Sequence, residues 1–206
     1  MKWHPSSLGK LMTTARSKSE LLSETTKSYI RGIAKQDFYG YNVELNNKYI
    51  MKGNAQENDS IKLLNSVLFT QYTKNTERLQ NDWLNGEADI VTDEAIIDIK
   101  TSWSLETFPA TAEEGKESLY EWQLRGYLML YDKPYAHLCY CMVSTNDDLL
   151  NEWDNLSLHK VDHIEPSKRI TMLSYERDLE IEEEIKLRLH HCTEYYVKYI
   201  NELNNK

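Results

Sequence analysis

The 206-residue chain is 40% hydrophobic, with 14 Tyr and 5 Trp against only 7 Gly and 4 Pro, which excludes a disordered chain and suits one domain of ordinary size. No apolar run is long enough to span a bilayer, and Met1-Lys2-Trp3-His4-Pro5 lacks the apolar stretch of a signal peptide, so a soluble, cytoplasmic protein is expected. A net charge of −9 argues against a uniformly basic, nucleic-acid-binding surface, yet the acidic residues crowd 176–184 while Lys2, Lys10, Arg16, Lys18, Lys27, Arg31 and Lys35 leave room for a local basic face.

In chain order, Ser6-Ser7 ahead of Leu8, Leu11 and Met12 reads as a helix start capped by a hydroxyl. A second helix is expected over 19–34, and 39–49, with Asn46-Asn47 in the middle, reads as a short hairpin or irregular strand pair. Ile61, Leu64 and Leu68 recur at spacings of three and four, the pattern of an amphipathic helix over 54–69, and Glu57 falls on the same stripe. Glu57 has two readings: with Asn54 it completes a capping box, or its carboxylate points toward the sheet. A hairpin follows, 87–91 and 96–101 about a turn at 92–95, then a helix over 118–131 that Pro134 forbids to continue. Strands are expected at 136–143 and 169–173, and a long helix over 176–201. The order predicts one mixed α/β domain over 1–206, with N-terminal helices in 1–50, a core in 51–145 and a closing strand and helix in 146–206. Cys139, Cys141 and Cys192 lack Cys-x-x-Cys spacing and read as packing residues.

In Ala95-Ile96-Ile97-Asp98-Ile99-Lys100-Thr101 the two-residue period sends Ile97 and Ile99 to one face and Asp98 and Lys100 to the other. A turn of two or four residues pairs Val91 with Ile96, Ile90 with Ile97 and Asp89 with Asp98; an odd turn breaks this register. Directly opposed like charges, with β-carbons about 4.5–5.5 Å apart, destabilise a bare hairpin. A cation is therefore expected between them, and Mg²⁺, with Mn²⁺ as a substitute, accepts one or two carboxylates while keeping water and phosphate in the rest of its shell. The register also sets Glu87 opposite Lys100. Lys100, pointing the same way as Asp98, suits a group that orients and helps deprotonate an attacking water. Each piece has a plainer reading alone: a solvated strand face for Asp98 and Lys100, an ordinary helix surface for Gln123 and Tyr127 at i and i+4. Their company with Asp89 and Glu57 lifts them above these plainer readings and points to a metal site that activates water.

Three segments carry a resemblance: Gly53-Asn54-Ala55-Gln56-Glu57-Asn58-Asp59; Gly86-Glu87-Ala88-Asp89 with Ile97-Asp98-Ile99-Lys100; and Gln123-Leu124-Arg125-Gly126-Tyr127. In this order they resemble the PD-(D/E)XK nucleases, specifically the phage lambda exonuclease and YqaJ group of recombination exonucleases. The resemblance implies a restriction-endonuclease-like core, a central mixed sheet flanked by helices, and a DNA exonuclease acting 5′ to 3′ on linear duplex ends. It implies that Asp89, Asp98 and the Ile99 carbonyl bind the metal, that Glu57 supports binding, that Lys100 assists the water, and that Gln123 and Tyr127 complete the catalytic set. A match at Ser6-Ser7-Leu8-Gly9 implies a 5′-phosphate contact by Ser6, Ser7 and Arg16, and Trp103 joins the DNA-contacting set. Asp98 stands where the family often has Glu, and three scattered cysteines exclude its iron-sulfur branch. A ring-shaped homo-oligomer such as a trimer, a single-strand annealing partner, and phage or prophage origin in a bacterial host follow from the same kinship. Two rivals remain: an endonuclease or single-strand nuclease, and a non-catalytic DNA-binding or anti-restriction protein, each on this fold.

Overall fold

The computed structural model describes residues 1–43 and 47–205. Its helices are α1 (Leu8–Leu11, entered through a 3-10 turn at Pro5–Ser7), α2 (Glu24–Tyr39), α3 (Lys48–Leu68), α4 (Ser118–Tyr131), α5 (Leu156–His159) and α6 (Leu179–Asn204). Its strands are β1 (Leu79–Gln80), β2 (Asn85–Gly86), β3 (Ile90–Val91), β4 (Ala95–Thr101), β5 (Tyr135–Cys141) and β6 (Ile170–Glu176). β1 and β2 form a small antiparallel pair. The main sheet runs β3-β4-β5-β6, parallel between β4 and β5 and antiparallel on either side. A parallel step needs a crossover, and α4 supplies it.

Side-chain alternation divides the core. Ile97, Ile99, Cys139 and Cys141 pack beneath α3 with Ile61 and Leu64. Ile96, Ala136 and Leu138 face α4, with α1 and α6 behind it through Leu8, Leu11, Ile185 and Leu189. This mixed sheet between helical layers is the PD-(D/E)XK architecture expected from the sequence. All three cysteines are free and buried. No helix among the described residues is long and apolar enough to cross a membrane.

Several helix boundaries differ from expectation, each for a local reason. Neither Ser6 nor Ser7 caps a helix with its hydroxyl; Ser7 Oγ accepts from the Tyr29 hydroxyl at 3.1 Å instead. α2 starts at Glu24 rather than 19 because Ser23 Oγ accepts from the Thr26 amide, and it runs on to Tyr39, where Gly40 adopts φ 67°. The expected hairpin at 39–49 is overturned at both ends by helix, and 44–46 lie outside the described residues. Asn47 caps α3 by accepting from the Tyr49 and Ile50 amides. The helix therefore begins before Asn54, Asn54 sits inside it, and the capping-box reading of Asn54 with Glu57 falls. Likewise α6 starts at Leu179, where Asp178 accepts from the Glu180 and Ile181 amides.

Candidate functional site

The β3–β4 hairpin has the even-turn register: Ile90 pairs with Ile97 and Val91 with Ile96. The turn is closed by the Thr92 amide donating to the Ala95 carbonyl and by Thr92 Oγ1 accepting from the Ala95 amide. One step beyond Ile90 the same register brings Asp89 beside Asp98. Asp89 Oδ2 accepts from the Ile99 amide at 2.7 Å. Asp98 is 2% exposed; its Oδ1 accepts from Gln123 Nε2 at 2.8 Å. Its Oδ2 lies 2.6 Å from Lys100 Nζ, an ion pair without hydrogen-bond alignment.

These surroundings set the charges. Burial, and then the neighbouring Asp98 carboxylate, push Asp89 up to about 7, since two apposed buried acids resist joint ionisation. Burial works against the Lys100 ammonium, but Asp98, together with Asp89 and Tyr120, outweighs it and holds the Lys100 pKa above its ordinary value. Lys100 Nζ also sits 4.6 Å from the centre of the Tyr120 ring. With Lys100 engaged by Asp98, the expected Glu87–Lys100 pair is not made, and Glu87 lies instead 3.9 Å from Arg78 Nε.

Glu57 reaches the same cavity from α3, which is kinked at the preceding residue. Gln56 departs from helical geometry (φ −119°, ψ 15°), and its side chain is spent on the loop after β5: Nε2 donates to the Ser144 carbonyl and Oε1 accepts from the Asn146 amide. Glu57 Oε2 lies 2.5 Å from Lys74 Nζ, while Oε1 is buried with no hydrogen-bond partner among the described residues. One turn earlier the buried Lys52 donates to the Trp103 and Val143 carbonyls at 3.1 and 2.9 Å. Burial, and then the charge of Lys160, lower its pKa to about 8. Lys52 thus ties the segment after β4 to the segment after β5.

Glu57, Asp89, Asp98, Ile99, Lys100 and Gln123 all line one open cavity of about 500 Å³. Trp103 is also in its wall, but it is only 5% exposed and lies edge-on to Tyr49 and His159, with Lys48 Nζ 4.7 Å from its centre. Tyr127 does not line the cavity. Its buried hydroxyl donates to the Glu87 carbonyl at 2.8 Å, bracing the backbone that leads to Asp89. Burial raises its pKa, with Asp98 and Asp89 adding to the effect. Ser6, Ser7 and Arg16 also lie outside the cavity lining. Sequence reasoning missed Lys52, Gln56, Lys74 and Tyr120. Lys52, Gln56 and Ser60 stand four apart on the buried face of α3, a polar stripe visible in the sequence; nothing in the sequence pattern marks Lys74.

The donor set suits a hard divalent cation. Among the described residues no three His, Cys, Asp or Glu side chains close around a common point, but Mg²⁺ needs only one or two carboxylates and takes oxygen donors throughout. Asp89 and Asp98 provide the two carboxylates, Asp98 Oδ2 meets only the Lys100 ammonium, and Glu57 Oε1 is a buried carboxylate oxygen with no hydrogen-bond partner among the described residues, an unmet acceptor that folded proteins rarely leave without cause.

No protein-family model and no curated protein sequence matches the chain. Solved structures do. The phage-related exonuclease of Haemophilus somnus 129PT is 33% identical and superposes with a TM-score of 0.92 over 98% of this chain and 96% of its own. The alkaline exonuclease LHK-Exo of Laribacter hongkongensis is 14% identical, with a TM-score of 0.71 over 99% of this chain and 92% of its own. Its complex with dAMP gives 16% identity and the same TM-score. At such identities LHK-Exo attests the fold alone.

Proposed function

The chain belongs to the phage-type exonucleases of the lambda exonuclease and YqaJ group, and from that membership we propose that it is a magnesium-dependent exonuclease of linear duplex DNA. The reading rests above all on one observation: Asp89 and Asp98 meet across a hairpin, in a cavity shared with Lys100 and an unpartnered oxygen of Glu57. Asp89, Asp98 and the Ile99 carbonyl would hold the cation, and Glu57 Oε1 would support it. A bound Mg²⁺ supplies Lewis acidity, lowering the pKa of a water and offsetting charge on the phosphate. Gln123 fixes Asp98 in one rotamer through Oδ1. Lys100, held as an ammonium beside Asp98, faces the scissile phosphate and stabilises charge that grows on its oxygens. In the metal-free protein it is already protonated, so its part is to orient and stabilise before it is to accept a proton.

Digestion runs from the 5′ end in this proposal, yielding single strands for an annealing partner. A homo-oligomeric ring offers an acidic subunit a basic inner surface. The deciding experiment compares linear and covalently closed circular duplexes with Mg²⁺, with Mn²⁺ and with EDTA, alongside Asp98→Ala. Cleavage of linear DNA only, dependent on the cation and absent in the variant, is expected. Cutting of closed circles would make the protein an endonuclease, and the absence of any cleavage would leave a DNA-binding protein on a nuclease fold.

A further inference from the structure

Lys74 has no role in the reading above, yet its ammonium contacts Glu57 at the edge of the cavity. The backbone beneath it is fixed. The Asn75 amide donates to the Asp89 carbonyl at 2.7 Å, and Asn75 Nδ2 donates to the Glu77 and Ala88 carbonyls, so the segment runs alongside the residues that enter the hairpin. The side chain is different: a four-carbon stem, 43% exposed, whose ammonium has Glu57 as its one carboxylate partner among the described residues. Glu57 itself lines the cavity and is mostly buried, its side chain 17% exposed. At the site three carboxylates, Glu57, Asp89 and Asp98, thus face two ammoniums, Lys74 and Lys100.

Resting on the metal-dependent function proposed above, we infer that Lys74 is an internal counter-cation: it holds Glu57 until a divalent cation binds, and then passes to a phosphate of the DNA strand. A doubly charged ion near Glu57 Oε1 competes with the single Lys74 ammonium on Oε2 for the charge of the one carboxylate. Once the carboxylates are neutralised, little holds Lys74 at Glu57, and a phosphate at the cavity mouth is a strong charge-assisted acceptor. The transfer needs only rotation of the stem above a pinned backbone.

Lys74→Met keeps the length and apolar packing of the stem while removing its charge. Mn²⁺ binding to the full chain without DNA, read from the paramagnetic resonance of the free ion, is expected to tighten about three- to tenfold in Lys74→Met, the effect of deleting one nearby positive charge. On a linear duplex its KM rises, and the slope of log KM against log salt falls by about one, the share of a single phosphate contact. Lys74→Arg restores that slope. Unchanged or weaker Mn²⁺ binding in Lys74→Met overturns the counter-cation role, and an unchanged salt slope overturns the transfer to phosphate. Wild-type protein that neither binds Mn²⁺ nor cuts DNA sinks the proposed function and this inference together, whereas failure in the Lys74 variants alone leaves that function standing.

Discussion

In the folded chain Asp89 keeps its proton up to about pH 7, because burial and Asp98 disfavour its charge, whereas an ordinary Asp releases it near pH 3.8. Between those values the folded state binds the extra proton, so this group's contribution to stability is greatest in acid and is lost as pH rises toward 7. A divalent cation reverses the effect by giving the ionised pair a partner. Asp89→Asn keeps an acceptor for the Ile99 amide and removes the repulsion. Its melting temperature in EDTA should therefore match wild type near pH 4 and exceed it at pH 8, by about 2–4 °C for each kcal/mol relieved. Added Mg²⁺ should raise the wild-type melting point at pH 8 and leave the variant's unchanged, and the variant should not cleave DNA. Parallel melting curves for the two proteins from pH 4 to pH 8 would remove the apposed-carboxylate account.

At the scale of elements, the site depends on how closely α1 and α3 approach their neighbours, and two glycines separate packing from access. A Cβ on Gly9 would lie 2.7 Å from the Leu119 Cα in the first turn of α4, while one on Gly53 in α3 would meet nothing within 4 Å. Gly9→Ala should therefore destabilise by about 1–3 kcal/mol, the usual cost of overpacking, and shift the turn that carries Tyr120 and Gln123. Gly53→Ala should be neutral or stabilising by up to about 1 kcal/mol, as Ala replaces Gly inside a helix. Any loss of cleavage in Gly53→Ala then reports crowding of substrate in the cavity it lines. Denaturant melts of the two variants check this, and a stable Gly9→Ala would contradict the packing described. The same elements show what the sequence could reveal. The β3–β4 register was legible because the strand period is two and the turn is even, and the end of α4 because Pro134 follows it. The start of α3 was not: Asn47 and Asn54 are chemically equal caps. The choice between them is made by Lys52 and Gln56 bonding to Trp103, Val143, Ser144 and Asn146, contacts 51 to 91 residues away that no local pattern encodes. Lys74 was hidden for the same reason, since its partner lies 17 residues back.

For the whole molecule, a net charge of −9 must coexist with a polyanionic substrate, so the placement of unpaired cations matters more than their number. Lys27 is tied to Glu20 and Glu24, and Arg31 to Glu24, but Lys2, Lys10, Arg16, Lys18 and Lys35 form no ion pair among the described residues. These five side chains are exposed, so the free charge of this N-terminal layer faces solvent. The fold also narrows how a 5′-phosphate would be held here. A four-residue α1 supplies little dipole, and Ser7 is buried under Tyr29, so the exposed Ser6 and Arg16 remain as the candidate contacts. Rates on linear duplexes ending in 5′-phosphate or 5′-hydroxyl, for wild type and Arg16→Ala, test this directly. Wild type should prefer the phosphorylated end, and Arg16→Ala should erase the preference while cation-dependent cleavage of the hydroxyl end persists. A guanidinium on a phosphate contributes about 1.5–3 kcal/mol as a charged hydrogen bond, so the expected preference is about tenfold or more. Equal wild-type rates on both ends would mean that the N-terminal cations attract DNA without reading its end, and that any exonuclease polarity arises within the cavity itself.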